Sequence, residues 1–81
     1  MKKNIKLAEK TQNIYCAQDN CQYCIKNTPQ HGILRSLGIV NNAKIHKVLT
    51  HRLGGPVLIK VGSCEIAIGK DIAEQILVGG E

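Results

Sequence analysis

Between Lys44 and Ile68 the chain alternates short aliphatic patterns with turns too tight to hold any other element. Lys44 to Thr50 carries Ile45, Val48 and Leu49, bulky residues suited to a pleated surface. Leu53-Gly54-Gly55-Pro56 then places two glycines and a proline between two strand patterns, which predicts a hairpin. Val57, Ile59 and Val61 alternate with Leu58 and Lys60, the period of a half-buried strand. Gly62-Ser63 allows only a tight turn before Cys64, Ile66 and Ile68 alternate with Glu65 and Ala67. A chain punctuated this way is confined to an antiparallel meander over this stretch.

The flanks predict helices. Pro29 suits the first position of a helix and Thr28 its N-cap. Ile33, Leu34 and Leu37 make a short apolar stripe, and Gly38 supplies the stop. Asn41-Asn42 reads as a turn, because Asn tolerates left-handed backbone. Lys70 to Ile76 has Ile72, Ala73 and Ile76 at helical spacing, with Asp71 and Glu74 near its positive end. Leu77-Val78 predicts a last short strand, Gly79-Gly80-Glu81 a loose tail, and Asn13 to Cys16 one further strand. The fold class is therefore mainly β with short helices: a small SH3-like barrel of five or six strands, which removes exposed sheet edges. The predicted core is Ile45, Val48, Val57, Ile59, Val61, Ile66, Ile68, Ile72 and Ile76.

Length bounds the rest. With 81 residues there is one small domain with a thin core, and no room for a doubly wound nucleotide fold. Residues 1–31 read as a basic arm plus a Cys-rich segment of that same domain, residues 32–78 as the barrel, and 79–81 as a tail. The chain carries a net charge of +5, and its first ten residues hold Lys2, Lys3, Lys6 and Lys10 against Glu9. Such an arm solubilises a terminus or touches an anionic surface. Two Tyr and no Phe or Trp argue against a stacking platform for nucleic acid. No apolar run approaches the roughly 20 residues of a spanning helix. None follows the basic start as a secretion signal would require. The expected location is cytoplasmic, with reduced thiols.

Cys16, Cys21 and Cys24 are spaced C-x4-C-x2-C, and His31 follows. The C-x2-C pair is the thiolate clip of structural zinc sites, so these four residues could hold one zinc or iron ion in a Cys3His set. Two other readings stay open. The thiols are simply unligated, or they form a disulfide or a cluster with Cys64 as a distant fourth ligand. No cofactor is required by anything else in the chain. His46 and His51 read as solvated, and Asp19, Glu65, Asp71 and Glu74 make no acid–base pair. There is no P-loop, no dinucleotide fingerprint and no oriented nucleophile, so no enzyme and no small-molecule substrate are expected.

Leu34-Arg35-Ser36-Leu37-Gly38-Ile39, then Leu53-Gly54-Gly55-Pro56, then Val57 to Val61 with Gly62, then Ile66-Ala67-Ile68, and finally Ala73 and Ile76-Leu77-Val78 form an ordered set. That set resembles the FeoA family over about residues 33 to 78. Asn41-Asn42 stands where the family usually has Pro-Gly, and Arg52 where it often has Pro. The Cys-bearing N-terminal third departs most. The resemblance implies an SH3-like domain and a small cytoplasmic accessory of ferrous-iron uptake. Its partner would be the cytoplasmic part of a FeoB-like permease, with the membrane reached only through that partner. The alternative function is a metal carrier or sensor built on Cys16, Cys21, Cys24 and His31. The expected contact is the hairpin tip, Arg52, Leu53, Gly54 and Gly55, with Leu53 either an exposed anchor or folded back over the barrel end.

Overall fold

The computed structural model describes residues 11–80. The basic arm with Lys2, Lys3, Lys6 and Lys10 lies outside the described residues. The elements are β1 (Gln12–Asn13), β2 (Cys21–Asn27), α1 (Gly32–Ser36), β3 (Lys44–Thr50), β4 (Val57–Val61), β5 (Cys64–Ile68), α2 (Lys70–Ala73) and β6 (Leu77–Gly80). All six strands join one antiparallel sheet in the order β1-β6-β2-β3-β4-β5. The sheet curls into an SH3-like barrel that is not strictly closed, since β5 and β1 stand at opposite ends of that order. The meander β3-β4-β5 and the helix before Gly38 are as the sequence predicts, while the short helix begins at Lys70 as expected but ends at Ala73 rather than reaching Ile76.

Three expectations at the ends are corrected. The segment Cys21–Asn27 is a full central strand, paired to β3 on one side and β6 on the other. Tyr23 and Ile25 face the core and Gln22 and Lys26 face out, so its alternation was present but carried by polar residues. Gly79 and Gly80 are not a loose tail but belong to β6, opposite Cys24 and Tyr23. The expected strand near Asn13 to Cys16 shrinks to β1, after which Asn13 caps a turn. Its side-chain oxygen accepts from the Cys16 N–H at 2.9 Å.

Helix α1 starts later than expected. Its N-cap is His31, which makes no side-chain cap, and Thr28 lies upstream of the helix. His31 itself is extended, with φ −105° and ψ 133°, so helical backbone begins only at Gly32. The stop is as read: Gly38 has φ +87°, its N–H donates to Arg35 O at 3.0 Å, and Ile39 N–H donates to Leu34 O at 2.9 Å. This paired motif buries Leu34 against the core beside Ile39. A side chain at Gly38 would also meet Val61 Cγ1 at 3.2 Å.

The core joins Ile14, Tyr23, Ile25, Leu34, Ile39, Ile45, Val57, Ile59, Ile68, Ala73, Ile76 and Val78. Val61, Ile66 and Ile72 are only partly buried against it. Val48 is the exception among the predicted core residues. Register pairs Lys47 with Ile59 and Leu49 with Leu58, so Val48 is the extra residue of a β-bulge and loses its core-facing position. Lys47 takes the inward place and is 1% exposed. Its ammonium donates to Tyr15 O at 3.1 Å and to Ala17 O, and it lies 3.2 Å from Asp19 Oδ1. Thr50 Oγ1 donates to the same Tyr15 O at 2.9 Å, and Asn20 N–H donates to Val48 O at 3.2 Å. The loop carrying Cys16 is thus stapled onto β3.

Candidate docking surface

The hairpin between β3 and β4 is shaped by backbone more than by side chains. His51 N–H donates to Pro56 O at 2.9 Å and Gly55 N–H to Arg52 O at 3.2 Å. A β-carbon on Gly55 would stand 2.7 Å from His51 Cβ, so the approach of the two arms requires glycine there. Leu53 has φ +59° and Gly54 φ +75°. Left-handed backbone costs a residue with a β-carbon roughly 1–2 kcal/mol. Leu53 accepts that cost and is nonetheless 104% exposed, so it does not fold back over the barrel end. Arg52 beside it is exposed and in no ion pair among the described residues. The tip is an apolar side chain held away from the barrel, next to a free cation.

A second exposed apolar group was not anticipated. Only Leu34 of α1 is buried, leaving Ile33 74% and Leu37 40% exposed, with Val40 at 38% just beyond the helix. Ile33 and Leu37 are four residues apart and share a helix face. Beside them a groove of about 360 Å³ is lined by Thr28, Pro29, Arg35 and Val40 among others. The Thr28 hydroxyl is buried and unpaired there. Ile33, Leu34 and Leu37 read as one apolar stripe, but so short a helix buries only Leu34 of the three.

The expected metal set is not assembled. Cys21 and Cys24 lie three residues apart in one extended strand, which puts them on opposite faces of the sheet. A C-x2-C clip needs a turn to bring both sulfurs to one ion. Cys16 sits in the stapled loop and His31 at the start of α1. Among the described residues no three His, Cys, Asp or Glu side chains gather to hold a metal ion. All four cysteines are free thiols. The Tyr23 phenol has its pKa raised from the ordinary value. Burial pushes it up, aided by neighbouring Cys21, while its hydroxyl donates to Gln18 O at 3.1 Å.

The family model described as FeoA domain matches residues 23–79, well over half the chain. The chain belongs to the FeoA family. An iron uptake regulatory protein (FeoA) of known structure superposes with a TM-score of 0.77 at 25% identity, covering 86% of this chain and 96% of that one. Iron(II) transport protein A from Clostridium thermocellum gives 0.75 at 25% identity, over 85% of this chain and 45% of that one. A manganese-dependent transcriptional repressor gives 0.79 at 13% identity, over 90% of this chain and 43% of that one, a likeness of fold alone. No curated protein sequence matches. The FeoA match begins at Tyr23 and so leaves out Cys16 and Cys21.

Proposed function

We propose that this FeoA-family protein is a cytoplasmic accessory of ferrous-iron transport. It acts by docking on the cytoplasmic part of a FeoB-like permease and catalyses no reaction. Family membership supports the iron-transport role, as do the names of the FeoA structures it resembles. The observation that carries docking is Leu53, fully exposed on a left-handed backbone that a free-standing hairpin would have no reason to give to leucine. An apolar anchor beside a charged rim is the composition of a small, reversible contact. No described helix is long and apolar enough to cross a membrane, which fits an accessory reaching the bilayer through its partner. The metal-carrier alternative has no comparable support, since no three of its ligands gather among the described residues.

The test is co-purification of the permease from membranes of the source cell. Leu53→Ala is expected to weaken capture about tenfold, the effect of losing an interface anchor worth about 1.4 kcal/mol. Its melting temperature should barely move, because Leu53 packs on nothing. Undiminished capture by Leu53→Ala would remove the hairpin from the interface. Failure of the wild-type protein to capture the permease would remove the docking role.

A further inference from the structure

The outward face of the sheet carries a groove of about 400 Å³ lined by Gln22, Lys44, Ile45, His46, Lys60 and Gly62. Register assembles it. Gln22 of β2 pairs with His46 of β3, and His46 pairs with Lys60 of β4, so the three stand in one row across the sheet. Directly paired residues have β-carbons about 4.5–5.5 Å apart. Lys44 lies two residues before His46, hence on the same face and about 6.6 Å along the strand. Gly62 contributes no side chain, and a β-carbon there would meet nothing within 4 Å, so the end of the groove beside it is open.

Charge is what makes this groove unusual. Lys44 and Lys60 are exposed, and the one ion pair among the described residues is Lys47–Asp19 on the opposite face. Glu65 of β5 is directly paired with Lys60 but forms no ion pair with it and does not line the groove. Lys44 and Lys60 lie diagonally across the β3–β4 pair on one face, close enough for one anion to reach both. The arrangement gains when an anion sits between them. Two ammonium groups match a dianion, and the imidazole and amide can donate to its remaining oxygens. Lysine is a common phosphate ligand, acting as a point charge on a flexible stem. Both described arginines, Arg35 and Arg52, lie elsewhere. We propose that the groove of Lys44, His46, Lys60 and Gln22 binds a phosphate group. The volume leaves room for the small molecule or lipid headgroup that bears it. This site is separate from the hairpin and does not depend on the docking role.

The test uses the full-length, isotopically labelled protein titrated with inorganic phosphate and with pyrophosphate at constant ionic strength. Amide resonances of Gln22, Lys44, His46, Lys60 and Gly62 should shift together and saturate, with pyrophosphate binding more tightly. Lys44→Ala and Lys60→Ala should each weaken binding roughly threefold to tenfold, the range for exposed to well-formed charge-assisted contacts. Melting should be unaltered, and Lys26→Ala, outside the groove, should bind as wild type. Shifts that do not saturate, that spread over all lysines, or that survive in the double variant would overturn the site. So would a glutamate-rich peptide of equal charge binding as tightly as pyrophosphate, which would make the groove a contact for acidic protein. Phosphatidylcholine vesicles containing phosphatidic acid separate the two sources. Vesicle binding that pyrophosphate displaces and the double variant lacks assigns a lipid headgroup. Saturable pyrophosphate binding without vesicle binding assigns a soluble phosphorylated molecule.

Discussion

Replacing Lys47 with methionine tests whether the barrel depends on a buried cation. The substitution keeps most of the stem's volume and removes the ammonium. It deletes charge-assisted hydrogen bonds to Tyr15 O and Ala17 O, each worth roughly 1.5–3 kcal/mol. The pair with Asp19, whose side chain is 51% exposed, adds less than about 1 kcal/mol. The cost of holding an ammonium out of water, several kcal/mol, disappears at the same time and offsets those losses. What is left uncompensated is the carbonyl group. Tyr15 O keeps the Thr50 hydroxyl at 2.9 Å, but Ala17 O has no other partner among the described residues. An orphaned buried acceptor costs about 1–3 kcal/mol. Lys47→Met should therefore destabilise by about that amount, and each kcal/mol lowers the melting temperature of so small a domain by about 4–8 °C. Urea unfolding followed by circular dichroism, with an unchanged slope, is the assay. Asp19→Asn is the control and should cost well under half as much. A Lys47→Met protein as stable as wild type, or an Asp19→Asn protein equally damaged, would refute the reasoning.

Leu53→Gly relieves the left-handed strain that Leu53→Ala retains. The glycine variant should melt higher than the alanine variant, by roughly 0.5–1 kcal/mol of stability, while both lose the partner. Tyr23 is held protonated in the folded state, its pKa raised from 10.0 chiefly by burial. Its contribution to stability is whole below about pH 10 and is lost as pH rises through the raised folded value. Unfolding midpoints between pH 8 and 11 should therefore fall less steeply in Tyr23→Phe. Because β2 sets Cys21 and Cys24 on opposite faces, elemental analysis of reduced, tag-free protein should find zinc and iron far below stoichiometric. A full equivalent that vanishes in Cys24→Ser would show that β2 remodels around a metal.

The parts of the fold that were legible are those where one residue type dictates backbone. Gly54-Gly55-Pro56 and Gly62-Ser63 admit only turns, Gly38 only a helix stop, and the aliphatic alternation of β4 only a strand. β2 escaped notice because its inward residues are Cys21, Tyr23 and Ile25, a weak apolar signal among Asn and Gln. Val48 misled for a different reason. A bulge shifts the alternation by one residue, and lysine is not a residue expected to face inward. Of the candidate sites, the hairpin tip was readable because its glycines leave Leu53 with nothing to pack on. The C-x2-C spacing was not informative in itself, since the same spacing in an extended strand separates the two sulfurs that a turn would join.

Strand β6 is wedged between β1 and β2, with Val78 opposite both Gln12 and Ile25. During synthesis on the ribosome, β1 and β2 emerge early and wait while the rest of the domain is translated. Their shared neighbour, Leu77–Gly80, comes last among the described elements. Pairings so distant along the chain form slowly, because a long loop must close before any contact rewards it. In that interval β2 presents an unpaired edge to other nascent chains and to chaperones. A transcript truncated before Leu77 therefore yields a product with an open seam through its sheet, where β2 and β1 have lost the neighbour they share.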